Sequence, residues 1–287
     1  MNNPRAEYVP MIDREPLALP GGARLAVWVV VNVEVWDFNA PMARMLIPYP
    51  QGQVVIPDVA NYSWFDYGVR VGFWRLKEVL DRHGIRATLS LNASVCEAYP
   101  RLVEECLNSG WEFLAHSYTQ RVMSLEEDQR DVVRRTIELI DRTTGQAPRG
   151  WMGPGLSETF DTPDILAEEG IEYLADWVND DQPYPMKVKS GALVSIPYTL
   201  EINDIPIYLI QQHRSPEIFE RARDQFDTLY REGADSARVM AISVHPYVTG
   251  VPHRIKYFDQ IFEYIKQHEG VLFMTGGEIL DWYKSAK

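Results

Sequence analysis

A chain of 287 residues with 46% hydrophobic and 24% charged residues can bury a large core and has a globular composition. Its formal net charge is −13, from 28 Lys and Arg against 41 Asp and Glu. With no long basic run, that balance excludes nucleic acid and an anionic membrane surface and favours a small neutral or cationic partner.

The two cysteines, Cys96 and Cys106, share one expected helical region and give neither a disulfide framework nor a metal-ligand spacing. The first 20 residues lack the apolar core of a signal peptide, and the longest apolar run, Leu25 to Val31, is too short for a bilayer. A cytoplasmic protein is expected. Residues 1–22 are rich in Pro and Gly and read as an arm over the body. From Leu25 a continuous apolar strand, of the kind buried on both faces, runs into Glu34. Residues 37–67 carry four prolines among Met, Tyr, Trp and Phe. A long irregular stretch of this kind forms a wall over a pocket or an oligomer contact.

Val69, Phe73, Leu76 and Leu80 repeat at helical spacing up to His83-Gly84, and residues 85–91 alternate as a strand that ends at Asn92. A helix over 94–108, interrupted at Pro100, leads to the strand Trp111–Ala115, which delivers His116. Ser124-Leu125-Glu126-Glu127 is a capping box for a helix to about Arg142. An extended piece, 149–155, precedes a helix at 161–169 and the strand Ile171–Ala175, which ends at Asp176-Trp177. Residues 192–197 and 205–211 read as strands, arranged as a hairpin. A helix at 216–231 precedes the strand Val239–Val244, which ends at His245; helix 254–268, strand 271–274 and helix 277–285 close the chain.

Alternating strands and helices argue for a mostly parallel sheet, and the missing GxGxxG after the first strand favours a closed barrel over a dinucleotide-binding sheet. One domain over residues 1–287 is expected. In such barrels the site lies where strands end, and five apolar strands here end on Glu34, Asn92, His116, Asp176 and His245. These groups suit hydrolysis: a carboxylate as base for water, a histidine to protonate a departing nitrogen, and a second histidine or an arginine to stabilise the oxyanion. No GxSxG elbow and no catalytic cysteine stand out, so water is the expected nucleophile. His83 and His268 read as helix termini, His213 as a surface or core residue, and His253 as part of a loop beyond His245.

In order, Asn32-Val33-Glu34-Val35, His116-Ser117-Tyr118-Thr119-Gln120, Arg149-Gly150-Trp151, Asp176-Trp177 with Asp180-Asp181, and Ser243-Val244-His245 resemble the five motifs of the polysaccharide deacetylase (NodB-type) superfamily. The resemblance implies an α/β fold, a distorted (β/α) barrel of about seven strands. In metal-dependent members an Asp and two His hold a divalent ion; here Val35 and Gln120 stand at two of those positions. No metal cofactor is therefore expected; a zinc-like ion, if bound, would rely on His116 with Gln120 or Asp37, or on Asp58.

The base position is kept as Glu34, which resembles the branch of allantoinases and enzymes acting on cyclic imides. Asn179-Asp180-Asp181-x-Pro183-Tyr184 and the segment after His245 resemble that branch as well. The implied function is a hydrolase of non-peptide carbon–nitrogen bonds that opens a small cyclic amide such as allantoin, hydantoin or an imide. Glu34, His116, His245, Arg149 and Asp181 would be catalytic. Asn92, Trp151, Asp176, Trp177, Tyr184 and Gln120 would bind substrate. The alternatives are a carbohydrate N-deacetylase acting on chitooligosaccharide or peptidoglycan, and a non-catalytic ligand-binding barrel. A homo-oligomer, dimer or tetramer, is also expected from the resemblance.

Overall fold

The structure, a computed structural model, describes residues 3–286. Strand β1 (Leu25–Val33) is buried at every position, as its unbroken apolar run requires. Its parity sorts the core. Leu25, Val27, Val29, Val31 and Val33 face the helices, while Ala26, Trp28 and Val30 face the barrel interior. Each such aliphatic or aromatic side chain contributes about 1.5–3 kcal/mol by leaving water.

The remaining strands are β2 (Thr88–Leu91), β3 (Glu112–Ala115), β4 (Gly150–Trp151), β5 (Tyr173–Leu174), β6 (Tyr184–Met186), β7 (Leu193–Ser195), β8 (Arg238–Val244) and β9 (Val271–Phe273). The sheet order is β6-β7-β5-β4-β3-β2-β1-β8, with β9 beside the start of β1; all pairs are parallel except β6–β7. The gap between the sheet's ends is spanned by loops: Asn203 bridges Ser243, and the Val239 N–H donates to the Asp181 carbonyl. The result is the curled, nearly closed (β/α) barrel. At β4 the turn inward is tight, since a Cβ on Gly150 would lie 2.0 Å from the Tyr173 ring.

Helices α1 (Val59–Tyr67), α2 (Phe73–Arg82), α3 (Val95–Ala98), α4 (Pro100–Asn108), α5 (Gln129–Thr144), α6 (Thr162–Glu168), α7 (Glu217–Glu232) and α8 (Ile255–Ile265) follow in chain order. The last helix, α9 (Gly276–Ser285), drives Ile279, Leu280 and Trp282 into the inner core and closes the end where strands begin. The N-terminal arm is tied down by Arg5 to Asp164 and by Arg14 to Asp180. No helix of the described residues is long and apolar enough to cross a membrane.

Three expectations need correction. Residues 205–211 are not a strand: Ile205–Ile210 forms a π-helical turn, with the Gln211 N–H on the Pro206 carbonyl. Pro206 cannot donate to a ladder, and Asn203 Oδ1 accepts from the Ile205 N–H to start the turn. The hairpin partner of β7 is instead β6. Helix α5 begins at Gln129, capped by Asp128, because Met123–Leu125 forms a separate short turn. Within 37–67, residues 59–67 are helix α1, capped by Asp58.

Candidate active site

Because β1, β2, β3 and β8 run parallel, Glu34, Asn92, His116 and His245, each just beyond its strand, come to the same end of the barrel. Glu34, His116 and His245 are 2%, 3% and 6% exposed, so the site is enclosed. Glu34 Oε1 accepts from Gln120 Nε2 at 2.8 Å and lies 3.8 Å from His245 Nε2. Its Oε2 accepts from the Trp36 indole at 3.2 Å, with the Tyr247 hydroxyl at 3.5 Å and Arg44 Nη1 at 3.8 Å.

One network fixes these orientations. Asn92 Oδ1 accepts from the Val35 N–H, so its amide nitrogen faces the His116 carbonyl at 2.6 Å and Gln120 Oε1 at 2.9 Å. The Gln120 nitrogen must then point at Glu34. Asn92 is a scaffold for Gln120 rather than a substrate ligand, since both ends of its amide are spent. Ser117, at φ +62°, adopts the left-handed conformation that starts the turn from His116 back toward Gln120.

His116 Nδ1 lies 2.6 Å from the Met152 carbonyl, which can only accept, so Nδ1 carries the proton. Burial lowers the His116 pKa, with Glu34 pulling the other way. The neutral ring turns a bare Nε2 to the site and serves as an acceptor. His245 Nδ1 donates to Asp204 Oδ1 at 2.7 Å, and Asp204 Oδ2 accepts from the His245 N–H and the Thr249 hydroxyl, each at 2.7 Å. Asp204 is fully buried and holds His245 in one tautomer. Burial and the neighbouring Glu34 push the Tyr247 hydroxyl well above its ordinary pKa, and it accepts from Arg44.

Several expected site residues lie elsewhere. Arg149 precedes β4 and pairs with Glu172 and with Asp281 on α9, at the end of the barrel opposite Glu34. Asp181 gives its backbone carbonyl to Val239 at the start of β8, about 20 Å along that strand from His245. Trp151 faces outward, buried against the helix layer. Tyr184 bonds Asn179 and lines a cavity of about 780 Å³ between the N-terminal arm and the end of α9. Asp176 and Trp177 follow β5 near the Met152–Gly153 shelf: Asp176 accepts from the Gly153 N–H at 2.8 Å and Trp177 donates to Glu158 at 2.8 Å. Burial, with Glu158 beside it, raises the Asp176 pKa well above its ordinary value.

Four site residues were not read from the sequence: Asp204, Tyr247, Trp36 and Arg44. Tyr247 sits two residues past His245, and Asp204 was hidden at the head of a run taken for a strand. Arg44 had a signal, being the single Lys or Arg between Arg24 and Arg70.

A divalent ion of the family kind does not fit these side chains. Gln120 presents nitrogen rather than oxygen to Glu34, His116 has one nitrogen to offer, and Val35 has none. Asp37 is exposed and takes the Asn39 N–H, and Asp58 is committed to Asn61. Among the described residues no group of three His, Cys, Asp or Glu is placed to hold a metal.

A sequence profile described as polysaccharide deacetylase matches residues 57–174. A peptidoglycan deacetylase of Helicobacter pylori is 27% identical over 74% of this chain and 83% of its own. The crystal structure of a probable polysaccharide deacetylase from Pseudomonas aeruginosa PAO1 superposes with a TM-score of 0.84 at 25% identity, covering 95% of both chains. That of Puue allantoinase gives 0.83 at 25% identity over 98% of each. By profile over residues 57–174 and by fold along nearly its whole length, the chain carries a polysaccharide deacetylase (NodB-type) domain, similar to proteins named as deacetylases and as an allantoinase.

Proposed function

We propose that the protein opens a small cyclic amide by adding water to a ring carbonyl. The observation that carries this reading is the enclosure of Glu34, 2% exposed beneath Trp36, Arg44 and Tyr247, which favours a compact ring over a polymer strand in an open groove. The likeness to an allantoinase supports the same reading.

Glu34 takes a proton from water as the resulting hydroxide attacks the ring carbonyl carbon, and the carbonyl π pair moves onto oxygen. As the tetrahedral species collapses, the C–N bond breaks and its electron pair leaves on nitrogen. His245, protonated on Nε2 and backed by Asp204, delivers the proton that nitrogen needs. His116, neutral, accepts a hydrogen bond from a ring N–H and so favours amides that carry one. No step requires a metal ion.

Ring opening of allantoin, hydantoin and succinimide, measured beside acetate release from N-acetylglucosamine oligomers, tests the proposal. Glu34→Gln is expected to lower cyclic-amide turnover by about 10²–10⁴-fold. Chelation is expected to leave the wild-type rate unchanged. Wild-type turnover of the rings no higher than that of the Gln variant, or acetate release that depends on a divalent ion, would overturn it.

A further inference from the structure

The Glu34, Gln120, Trp36, His116 and His245 side chains supply a base, a proton donor and an acceptor, yet none is free to receive the negative charge that forms on the attacked oxygen. The Gln120 amide and the Trp36 indole already donate to Glu34, and the Nδ1–H groups of His116 and His245 are spent on Met152 and Asp204. The backbone N–H groups of Val35 and Gly153 are given to Asn92 and Asp176. His245 Nε2 is reserved for the departing nitrogen. The remaining donors are the Tyr247 hydroxyl, whose proton is directed at Glu34 Oε2 at 3.5 Å, and the Arg44 guanidinium, the one that carries a charge.

We infer that Arg44, reaching in from the irregular segment over the barrel mouth, is the oxyanion-stabilising residue and occupies the electrostatic role that a divalent ion has in metal-dependent members of the family. This deepens the ring-opening reading and rests on Glu34 being its base. Arg44 uses one donor on the Tyr247 hydroxyl and stands 3.8 Å from Glu34 Oε2, too far for a direct hydrogen bond and close enough for strong Coulomb attraction. A guanidinium has five N–H donors, so several remain for a substrate oxygen.

Burial works against the Arg44 charge, but Tyr247 and Glu34 outweigh it and hold the group protonated above its ordinary value. The charge balance of the step favours this placement. Before attack the negative charge is on Glu34. Once Glu34 holds the water proton, the same charge sits on the substrate oxygen. Arg44 neighbours both positions and serves as counterion throughout, with little rearrangement. Arg44 is itself 28% exposed, but it faces Glu34 at 2% exposed, so water screens the interaction less than between two surface charges.

The test is kinetic. Arg44→Ala is expected to lose about 10²–10³-fold in kcat with KM within roughly threefold of wild type, the pattern of an interaction made chiefly in the transition state. Added guanidinium chloride at non-denaturing concentration is expected to restore part of the Ala variant's rate and none of the Glu34→Gln variant's. Arg44→Lys, which keeps the charge and guards against a misfolded Ala variant, is expected to fall between Ala and wild type, since an ammonium lacks the planar fork. A rise in KM with kcat preserved, or no guanidinium rescue of a folded Ala variant together with a Lys variant as slow as Ala, would overturn the assignment. If wild type releases acetate and opens no ring, the ring-opening reading fails while Arg44 is judged by the same variants on the acetylated substrate. Inactivity of wild type on both panels would overturn both.

Discussion

Two glutamates point into this barrel from opposite ends, and their surroundings differ in kind. Glu112 is partly buried by surface area, yet its carboxylate is ringed by fixed donors. These are the Thr88 hydroxyl at 2.7 Å, the Tyr173 hydroxyl at 2.9 Å, and the Gly276 and Gly277 N–H groups at 2.8 and 2.7 Å at the N-terminus of α9. Burial raises its pKa, and those donors offset only part of the rise. Glu34 has two donors within 3.2 Å, then three groups waiting between 3.5 and 3.8 Å. A carboxylate whose lone pairs are all taken is a joint; one left with loosely held partners keeps lone pairs free for a water molecule. The helix dipole of α9 adds to the first case and has no counterpart in the second.

The sharpest way to separate the two ends is to disturb each without changing its shape. At the active end, Asp204→Asn keeps the volume but can no longer accept the His245 Nδ1–H and the Thr249 hydroxyl through two equivalent oxygens. The expected result is a loss of about 10³-fold in kcat with a modest change in melting temperature, because the histidine loses its fixed tautomer. At the closed end, Glu112→Gln is expected to leave kcat within about twofold and to cost roughly 2–3 kcal/mol, since charge-assisted hydrogen bonds are exchanged for weaker ones. Thermal melts beside ring-opening rates would read both. A Glu112 variant that melts normally but loses activity would erase the distinction between joint and base.

The end of the barrel that holds Glu34 was legible in the sequence because continuous apolar runs stop there on polar residues. The polar residues on which apolar strands stop pointed to Glu34, His116 and His245, and the structure brings the three within one enclosed space. What stayed hidden came from segments without a period. Asp204 heads a π-helical turn that reads as a strand, because Ile205 to Ile210 are nearly all apolar and apolarity alone does not tell the two apart. Arg44 belongs to an irregular segment whose path is set by tertiary contacts such as Asn61 with Ile47. Arg149 and Asp181 were misplaced. Asp181 lies in the loop ahead of the antiparallel β6, a loop that runs to the start of β8 with no period to mark its path. Arg149 precedes the parallel β4, and a residue before a parallel strand lies at the other mouth from a residue after it. The two-residue β4 leaves almost no run from which to judge which mouth that is.

Arg149 gives the smallest effect and the cleanest check on which mouth matters. Its guanidinium bonds Glu172 at 2.7 Å and Asp281 at 2.7 Å, and Lys284 also reaches Glu172. The Arg149 hydrogen bond is the main reason the Glu172 pKa is lowered to about 2. Because the folded value lies below the ordinary 4.5, the pairing contributes stability above pH 4.5, and that contribution disappears as pH falls through the folded value. Arg149 and Glu172 are 36% and 37% exposed and Asp281 is 62% exposed, so solvent screening limits the contribution to about 1 kcal/mol or less. Arg149→Ala is therefore expected to lower stability slightly at pH 7, by a gap that narrows between pH 4.5 and 2 and also in high salt. Its kcat is expected to stay within about twofold of wild type. Chemical denaturation across that pH range measures the first outcome and ring-opening kinetics the second. A hundredfold loss of kcat with stability intact would mean that the closed mouth takes part in the chemistry after all.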